Sequence, residues 1–528
     1  MKCIYIDPPY NTDNDDFIYK DNYQHSSWLT IIDNRTRLAR NLLSRDSALF
    51  CQISDIENSN LNKLMCSIFG DKNHRETISV ITSSKSGVNA INVKRGEHLF
   101  KIKEYVQFYS NSPDFRFKYF YTPDEYNNNY KWEIYKDING AWIVCDLKKE
   151  KNMSDKELEK YALDNPQNIF SIEKNNSKAG KGIKAVLEKS KHSGKVETFI
   201  DKNGNEKIIY QGGVCVPLLE RIVVESGKKY FGVLGSDIWD DIGQASGSEG
   251  NVSFDNGKKP EKLLRRIIEM TTNENDLVLD FFLGSGTTSC VAQKLKRKWI
   301  GIEQGEYFNN VTLQRVIKTL AGEQTGISKS VDYKGGGIVK VLKLESYEDT
   351  LNNLQLKAQS DLFKMLPEAV QEDYLLRYLL DTESKGSLLN SEDFQHPFDY
   401  RLNIATDSAG AYQSTVIDLP ETFNYLLGIR VQQITDEREK RGYLTIEGLL
   451  PNDARCLIVW RDCEKMGYAE VAQFFDKHNI NPNSKQYDVI YLNGDHDMAN
   501  QWQNEDGSES RLALRAIEPE FLNRMFAQ

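Results

Sequence analysis

No stretch of this 528-residue chain approaches the ~18 apolar residues that a membrane-spanning helix needs. The first residues lack a basic n-region, an apolar h-region and a cleavage site, so they do not read as a secretory signal. Eight cysteines are scattered from Cys3 to Cys463 with no Cys-x-x-Cys pair. That argues against a zinc knuckle and against a disulfide scaffold. Reduced, mostly buried thiols and a cytoplasmic location are the expectation. The chain also has no internal repeat, no long low-complexity tract and no Walker motif, so it should not hydrolyse ATP by itself.

What is present is a soluble-type composition, 39% hydrophobic and 27% charged. The length exceeds one ordinary core, so two to four domains are expected. The net charge of −10 hides an asymmetry: residues 80–230 carry +6 and residues 341–528 carry −14. A polyanion would be drawn to the middle of the chain and repelled by its tail. The middle also interleaves Tyr119, Phe120, Tyr121, Tyr126, Tyr130, Trp132 and Tyr135 with charges. That mixture suits phosphate neutralisation with base stacking, and equally a peripheral α+β insertion with its own small core.

Apolar patterning predicts strand–helix–strand–helix over the first 70 residues. Strands are expected at 3–6 and 47–53, with a helix beginning around 22–28 and another over 60–70 capped by Gly70. This is the alternation of a mostly parallel α/β sheet. Regularity is lost over 80–230 and returns with a helix over 260–270, a strand over 276–280, a helix from 289 to about 295 and a strand over 298–302. A helix within 310–340 leads to the glycine linker Gly335-Gly336-Gly337. Beyond it, helices near 361–380 and strands at 412–417, 456–460 and 488–492 read as a separate α/β or α+β domain.

Two strand ends carry chemistry. Asp7-Pro8-Pro9-Tyr10 follows the first strand. Neither proline can donate to a sheet ladder, so the strand stops there and presents an acid, fixed carbonyls and an aromatic ring. Taken alone, this is equally an ordinary turn. The second end is Asp280-x-Phe282-x-Gly284-Ser285-Gly286-Thr287, a strand, a glycine turn and a helix start. It is not a phosphate-binding P-loop, because Thr287 and Thr288 stand where the lysine would be. Glu303 ends the next strand, 17 residues past Gly286. That is close to the ~20-residue spacing at which an acid meets ribose hydroxyls in α/β folds. The pair suggests an adenosine-containing cofactor, and the missing third glycine disfavours NAD.

Together, in this order, the two motifs resemble the β arrangement of DNA amino-methyltransferases. The run from Ile4 to Thr12, the His25-Ser26-Ser27-Trp28 helix, Lys259-Pro260, the stretch from Phe281 to Thr288 and the run from Gly337 toward Glu348-Asp349 look like the modification subunit of type III restriction–modification systems. The resemblance implies an S-adenosylmethionine-dependent methyltransferase fold. It divides the chain into a catalytic part (1–79), a target-recognition region (80–230), a cofactor-binding part (231–330) and a C-terminal dimerisation or partner-binding domain (341–528). It implies that Asp7 and the Pro8 carbonyl, with Pro9 and Tyr10, receive a flipped base. Phe282 and the turn Gly284, Ser285, Gly286 and Thr287 would cradle the methionine part of S-adenosyl-L-methionine, and Asp280 would be a further cofactor-binding residue. Glu303 would hold the ribose, and Lys259 and Pro260 would pack by the cofactor. The implied substrate is N6 of adenine in double-stranded DNA, since N4-cytosine enzymes more often carry Ser in place of Asp7. The implied partners are a restriction helicase–nuclease subunit and a second copy of the chain. Relatives carry a segment before the first motif, whereas Met1 lies two residues before Cys3. An N-terminally truncated, non-catalytic DNA-binding remnant is therefore the other expectation, with N4-cytosine transfer a third.

Overall fold

The computed structural model describes all residues except 13–20, 84–98, 175–179, 203, 226, 255–256, 347–348, 351–352, 354–388, 406–410, 482–483, 499–500, 504–508, 512 and 526–528. Residues 13–16 of the loop after Tyr10, the helices expected near 361–380 and Glu348 lie outside the described residues. The chain divides into two compact units, Met1–Val339 and Lys340–Gln528.

The first unit is built on a seven-stranded sheet. Its strands are β1 (Cys3–Ile6), β2 (Ala48–Ile53), β3 (His74–Ile81), β4 (Lys103–Ser110), β5 (Ile238–Trp239), β6 (Leu277–Asp280) and β7 (Lys298–Gly301). Their spatial order is β5-β3-β4-β2-β1-β6-β7. β1 runs parallel to both neighbours, and β6 runs parallel to β7. β4 is antiparallel to β2 and β3. The sheet is thus mixed, and residues 103–110, which the sequence assigns to the middle segment, are one of its central strands.

Among the described residues, five helices cover it: α1 (His25–Leu42), α2 (Asp55–Phe69), α3 (Glu261–Thr271), α4 (Thr287–Lys294) and α5 (Thr312–Leu320). Side chains alternate across a strand, and β1 serves two cores. Ile4 and Ile6 pack with Trp28 and Ile32 of α1 and Leu61 and Met65 of α2. Cys3 and Tyr5 pack with Leu264 and Ile268 of α3 and Val291 of α4. Burial on both faces is why Cys3–Ile6 is apolar without alternation.

Residues 121–234 form a six-stranded and a three-stranded antiparallel sheet, with helices Asp155–Asp164 and Lys181–Ser193. Of the aromatics interleaved with charge, Tyr130 is core, stacked at an angle on Phe231. Phe120 packs edge-on against Trp239. Tyr119 is 78% exposed.

The second unit contains a five-stranded sheet. Arg430–Glu437, Tyr443–Leu449 and Arg455–Arg461 are antiparallel, and Val489–Leu492 and Leu514–Ala516 continue it in parallel. Its core gathers Phe394, Phe423, Trp460 and Phe521.

Candidate active site

Strand order reverses about β1. The chain leaves β1 toward β2 on one side, while β6 and β7 lie on the other, and such a switch point opens a crevice at the carboxyl ends of the strands. Cys3 pairs with Val278 and Ile4 with Leu279. Carried three residues further, that register sets Asp7 level with Phe282. The two motifs, some 270 residues apart in sequence, therefore end adjacent strands.

On the β1 side, the Asp7 carboxylate divides its two oxygens. Oδ2 meets the Lys259 ammonium at 3.1 Å. Oδ1 is buried and has no hydrogen-bond partner. Lys259 Nζ also lies 3.5 Å from Glu104 Oε2 on β4, and 4.7 Å from the centre of the Tyr10 ring. The Tyr10 hydroxyl donates to the same Glu104 oxygen at 2.7 Å, and the Gln52 amide donates to it as well. Gln52 in turn accepts from the Tyr5 hydroxyl at 2.5 Å. Burial pushes the Asp7 carboxyl up to about 6, against the pull of Lys259 and with the Glu104 charge adding to the rise. Burial would raise Glu104 too, but Lys259, the Tyr10 hydroxyl and the Gln52 amide together hold it below the usual carboxylate range. Asp7 and Glu104 outweigh burial at Lys259 and keep it charged.

The turn itself is pinned from behind. Trp28 Nε1 donates to the Pro9 carbonyl at 2.8 Å. Asp21 accepts from the Asn11 and Thr12 amides. The fully buried Glu57 accepts from the Asn11 side chain at 2.7 Å and meets His25 Nδ1 at 2.5 Å.

On the β6 side, Asp280 shapes the glycine turn. Its Oδ1 accepts from the Phe282 amide at 2.9 Å and its Oδ2 from the Thr288 hydroxyl at 2.6 Å. Burial raises the Asp280 carboxyl to about 7 in spite of those bonds. Gly284 and Gly286 have φ of +52° and +83°, a region that costs other residues energy. Glu303 faces the turn, accepting from the Gly284 amide at 2.6 Å and the Gly305 amide at 2.7 Å. Thr287 and Ser285 accept from the buried Arg315, at 2.6 and 3.2 Å.

A family model described as DNA methylase matches residues 1–314. The chain belongs to the DNA methylase family. This methylase is 33% identical over 445 residues to the probable type III restriction-modification enzyme HindVI Mod subunit of Haemophilus influenzae, which takes in 75% of this chain and 58% of that one. It is 25% identical to the type III restriction-modification enzyme StyLTI Mod subunit of Salmonella typhimurium, over 56% of this chain and 47% of that one. It thus spans about half the length of these curated relatives. Among solved structures, the cytosine-N4-specific PvuII DNA methyltransferase aligns with 60% of this chain and 79% of its own, at 14% identity and a TM-score of 0.33.

The methylase's sequence-predicted residues fall into two groups. Asp7, Pro8, Pro9 and Tyr10 gather at the end of β1. Asp280, Phe282, Gly284, Ser285, Gly286, Thr287 and Glu303 gather at the ends of β6 and β7. Lys259 touches both groups: its carbonyl accepts from the Thr287 hydroxyl of the glycine turn at 3.3 Å, while its ammonium sits with Asp7 and Glu104. Pro260 is the buried residue before α3, and its extended backbone starts that helix. Sequence reading missed Glu104, Gln52, Glu57, Asp21 and Arg315. The available signal was an acid or amide inside a predicted apolar strand, as at Gln52, because a buried polar group needs partners.

Proposed function

We propose that this methylase transfers a methyl group from S-adenosyl-L-methionine to the N6 amino group of adenine in double-stranded DNA, as the modification subunit of a type III restriction–modification system. The observation that carries this reading is the unpartnered, buried Asp7 Oδ1 at the end of the strand next to the glycine turn. A buried carboxylate oxygen without a donor is costly, and an exocyclic amino group supplies the donor.

The residues present fit the cofactor. A Cβ placed on Gly284 would meet nothing nearer than the Phe254 ring and the Phe282 carbonyl, both at 4.0 Å, so the turn borders open space. Glu303 offers two oxygens to a ribose diol in exchange for its amide partners, and Phe282 an apolar wall. When bound, S-adenosyl-L-methionine supplies an electrophilic methyl group on a sulfonium.

The chain's own residues do the rest. A base inside a duplex cannot reach a strand-end pocket, so the target is flipped out at a cost of a few kcal/mol. Tyr10 stacks on it. Asp7 Oδ1 and the Pro8 carbonyl accept hydrogen bonds from its amino group, which draws the nitrogen lone pair out of ring conjugation and aims it at the β6 side; once methylated, the nitrogen gives up one proton, for which Asp7 is the adjacent base. The Pro9 carbonyl is held by Trp28, which fixes the direction of its neighbour. Catalysis is thus positioning and electrostatics, with no covalent enzyme intermediate. Asp7, rather than Ser, favours adenine over cytosine. Within residues 80–230, the antiparallel sheets beyond residue 120 supply sequence recognition, and 341–528 the contact with a restriction subunit or a second copy. Single-molecule sequencing of DNA from cells expressing the chain tests this. N6-methyladenine in one recurrent motif is expected. N4-methylcytosine would reassign the base, and unmodified DNA would count against the activity.

A further inference from the structure

One ammonium serves two carboxylates in the base pocket. Lys259 Nζ stands 3.1 Å from Asp7 Oδ2 and 3.5 Å from Glu104 Oε2. Glu104 is anchored independently by Tyr10 and Gln52, so it holds its share of the ammonium at a fixed place. With Glu104 neutral, no second carboxylate would hold Lys259 back from Asp7, where an ammonium can bridge both carboxylate oxygens. It would then occupy Oδ1, the oxygen that has no partner. Glu104 also fixes the plane of the ring on which the base stacks, through the Tyr10 hydroxyl.

Resting on the base-pocket reading given under Proposed function, we infer that Glu104 is a positioning residue of that pocket: by sharing Lys259 and anchoring Tyr10, it keeps the inward oxygen of Asp7 open to the amino group of the target base. Glu104 reaches the reacting atoms only through those two side chains. It comes from β4, a strand antiparallel to the rest of the catalytic edge, so the pocket is closed from a part of the chain distant from both motifs.

The charged and titratable groups around Asp7 are Lys259 before α3, Glu104 on β4, Tyr5 and Tyr10 at either side of the β1 end, Cys51 on β2 and Asp280 on β6. Replacing Glu104 by Gln removes one negative charge beside Asp7 and hands it the whole ammonium. Both changes favour the ionised carboxyl, so Asp7 must titrate at lower pH. A residue that only fills space would leave that midpoint where it is.

Infrared titration of the full chain reads the Asp7 carboxyl directly, as the difference from Asp7→Asn. The native midpoint is expected near 6. In Glu104→Gln it should fall by about one pH unit, and in Glu104→Asp it should return toward the native value. In parallel, Glu104→Gln should lower kcat by about 100-fold while leaving the KM for S-adenosyl-L-methionine unchanged. An Asp7 midpoint that stays put in a folded Glu104→Gln chain, or an undiminished kcat, overturns the inference. A chain that shows the infrared displacement but transfers no methyl group refutes the methyl-transfer reading and leaves the Glu104–Lys259–Asp7 coupling supported.

Discussion

As a proposed acceptor, Asp7 is strongest while ionised, and its surroundings work against ionisation. Its carboxyl is raised to about 6 by burial, above its ordinary ~4. The folded chain therefore holds this proton more tightly than the unfolded chain does. As pH falls through about 6, Asp7 takes up the proton and becomes a weaker acceptor for the base. Methyl transfer should accordingly decline below pH 6, with the single-turnover rate falling tenfold per pH unit once Asp7 is mostly protonated. A rate that is flat down to pH 5 would show that Asp7 is not the acceptor. Glu303 should behave differently. Its two oxygens accept from the Gly284 and Gly305 amides, and its proposed ligand is the cofactor rather than the base. Glu303→Ala should weaken binding of S-adenosyl-L-homocysteine by about 10- to 100-fold, the worth of charged hydrogen bonds, as calorimetry would measure. Turnover at saturating cofactor should be largely kept.

At the scale of elements, what was legible in the sequence was what is contiguous in it. Cys3–Ile6 with Asp7-Pro8-Pro9-Tyr10, and Leu277–Asp280 with its glycine turn, each carry a strand and its chemistry within a dozen residues. Both strand ends fall where the pattern puts them. Glu104 was not legible because Lys103-Glu104-Tyr105 reads as a charged surface stretch, and only the antiparallel pairing of β4 with β2 turns Glu104 toward Tyr10. Helix α2 begins at Asp55 rather than 60, because the buried Glu57 interrupts the apolar periodicity that marks a helix. The exposed strand Arg430–Glu437 lacks an apolar face altogether, and the pattern gave no sign of it. Two elements support quantitative tests. Gly286, at φ +83°, starts α4, and Gly286→Ala should cost about 1–2 kcal/mol, the strain of a left-handed non-glycine residue, by urea unfolding. Lys294 of α4 is wholly buried between Glu261 and Glu323. Lys294→Met should cost about 3–5 kcal/mol, because it leaves buried carboxylates short of a cation.

At the scale of the whole molecule, the two units differ in charge and in what they can meet. Residues 80–230 carry +6 and residues 341–528 carry −14, so attraction to a polyanion belongs to the first unit. Each unit has its own cores. Residues 340–528 expressed alone should unfold cooperatively and leave a labelled duplex unshifted in a gel at concentrations at which the full chain retards it. Retardation by that unit alone would place DNA contacts in it. No helix among the described residues is long and apolar enough to cross a membrane. On the proposed reading, two strand ends, brought together by the β1–β6 pairing, form one methyl-transfer site. Its most direct test is incubation of the full chain with unmethylated duplex DNA and tritiated S-adenosyl-L-methionine, followed by chromatography of the nucleosides. Label is expected in N6-methyladenine from the native chain and none from Asp7→Ala. DNA left unlabelled by a folded native chain, or labelled equally by Asp7→Ala, would contradict it.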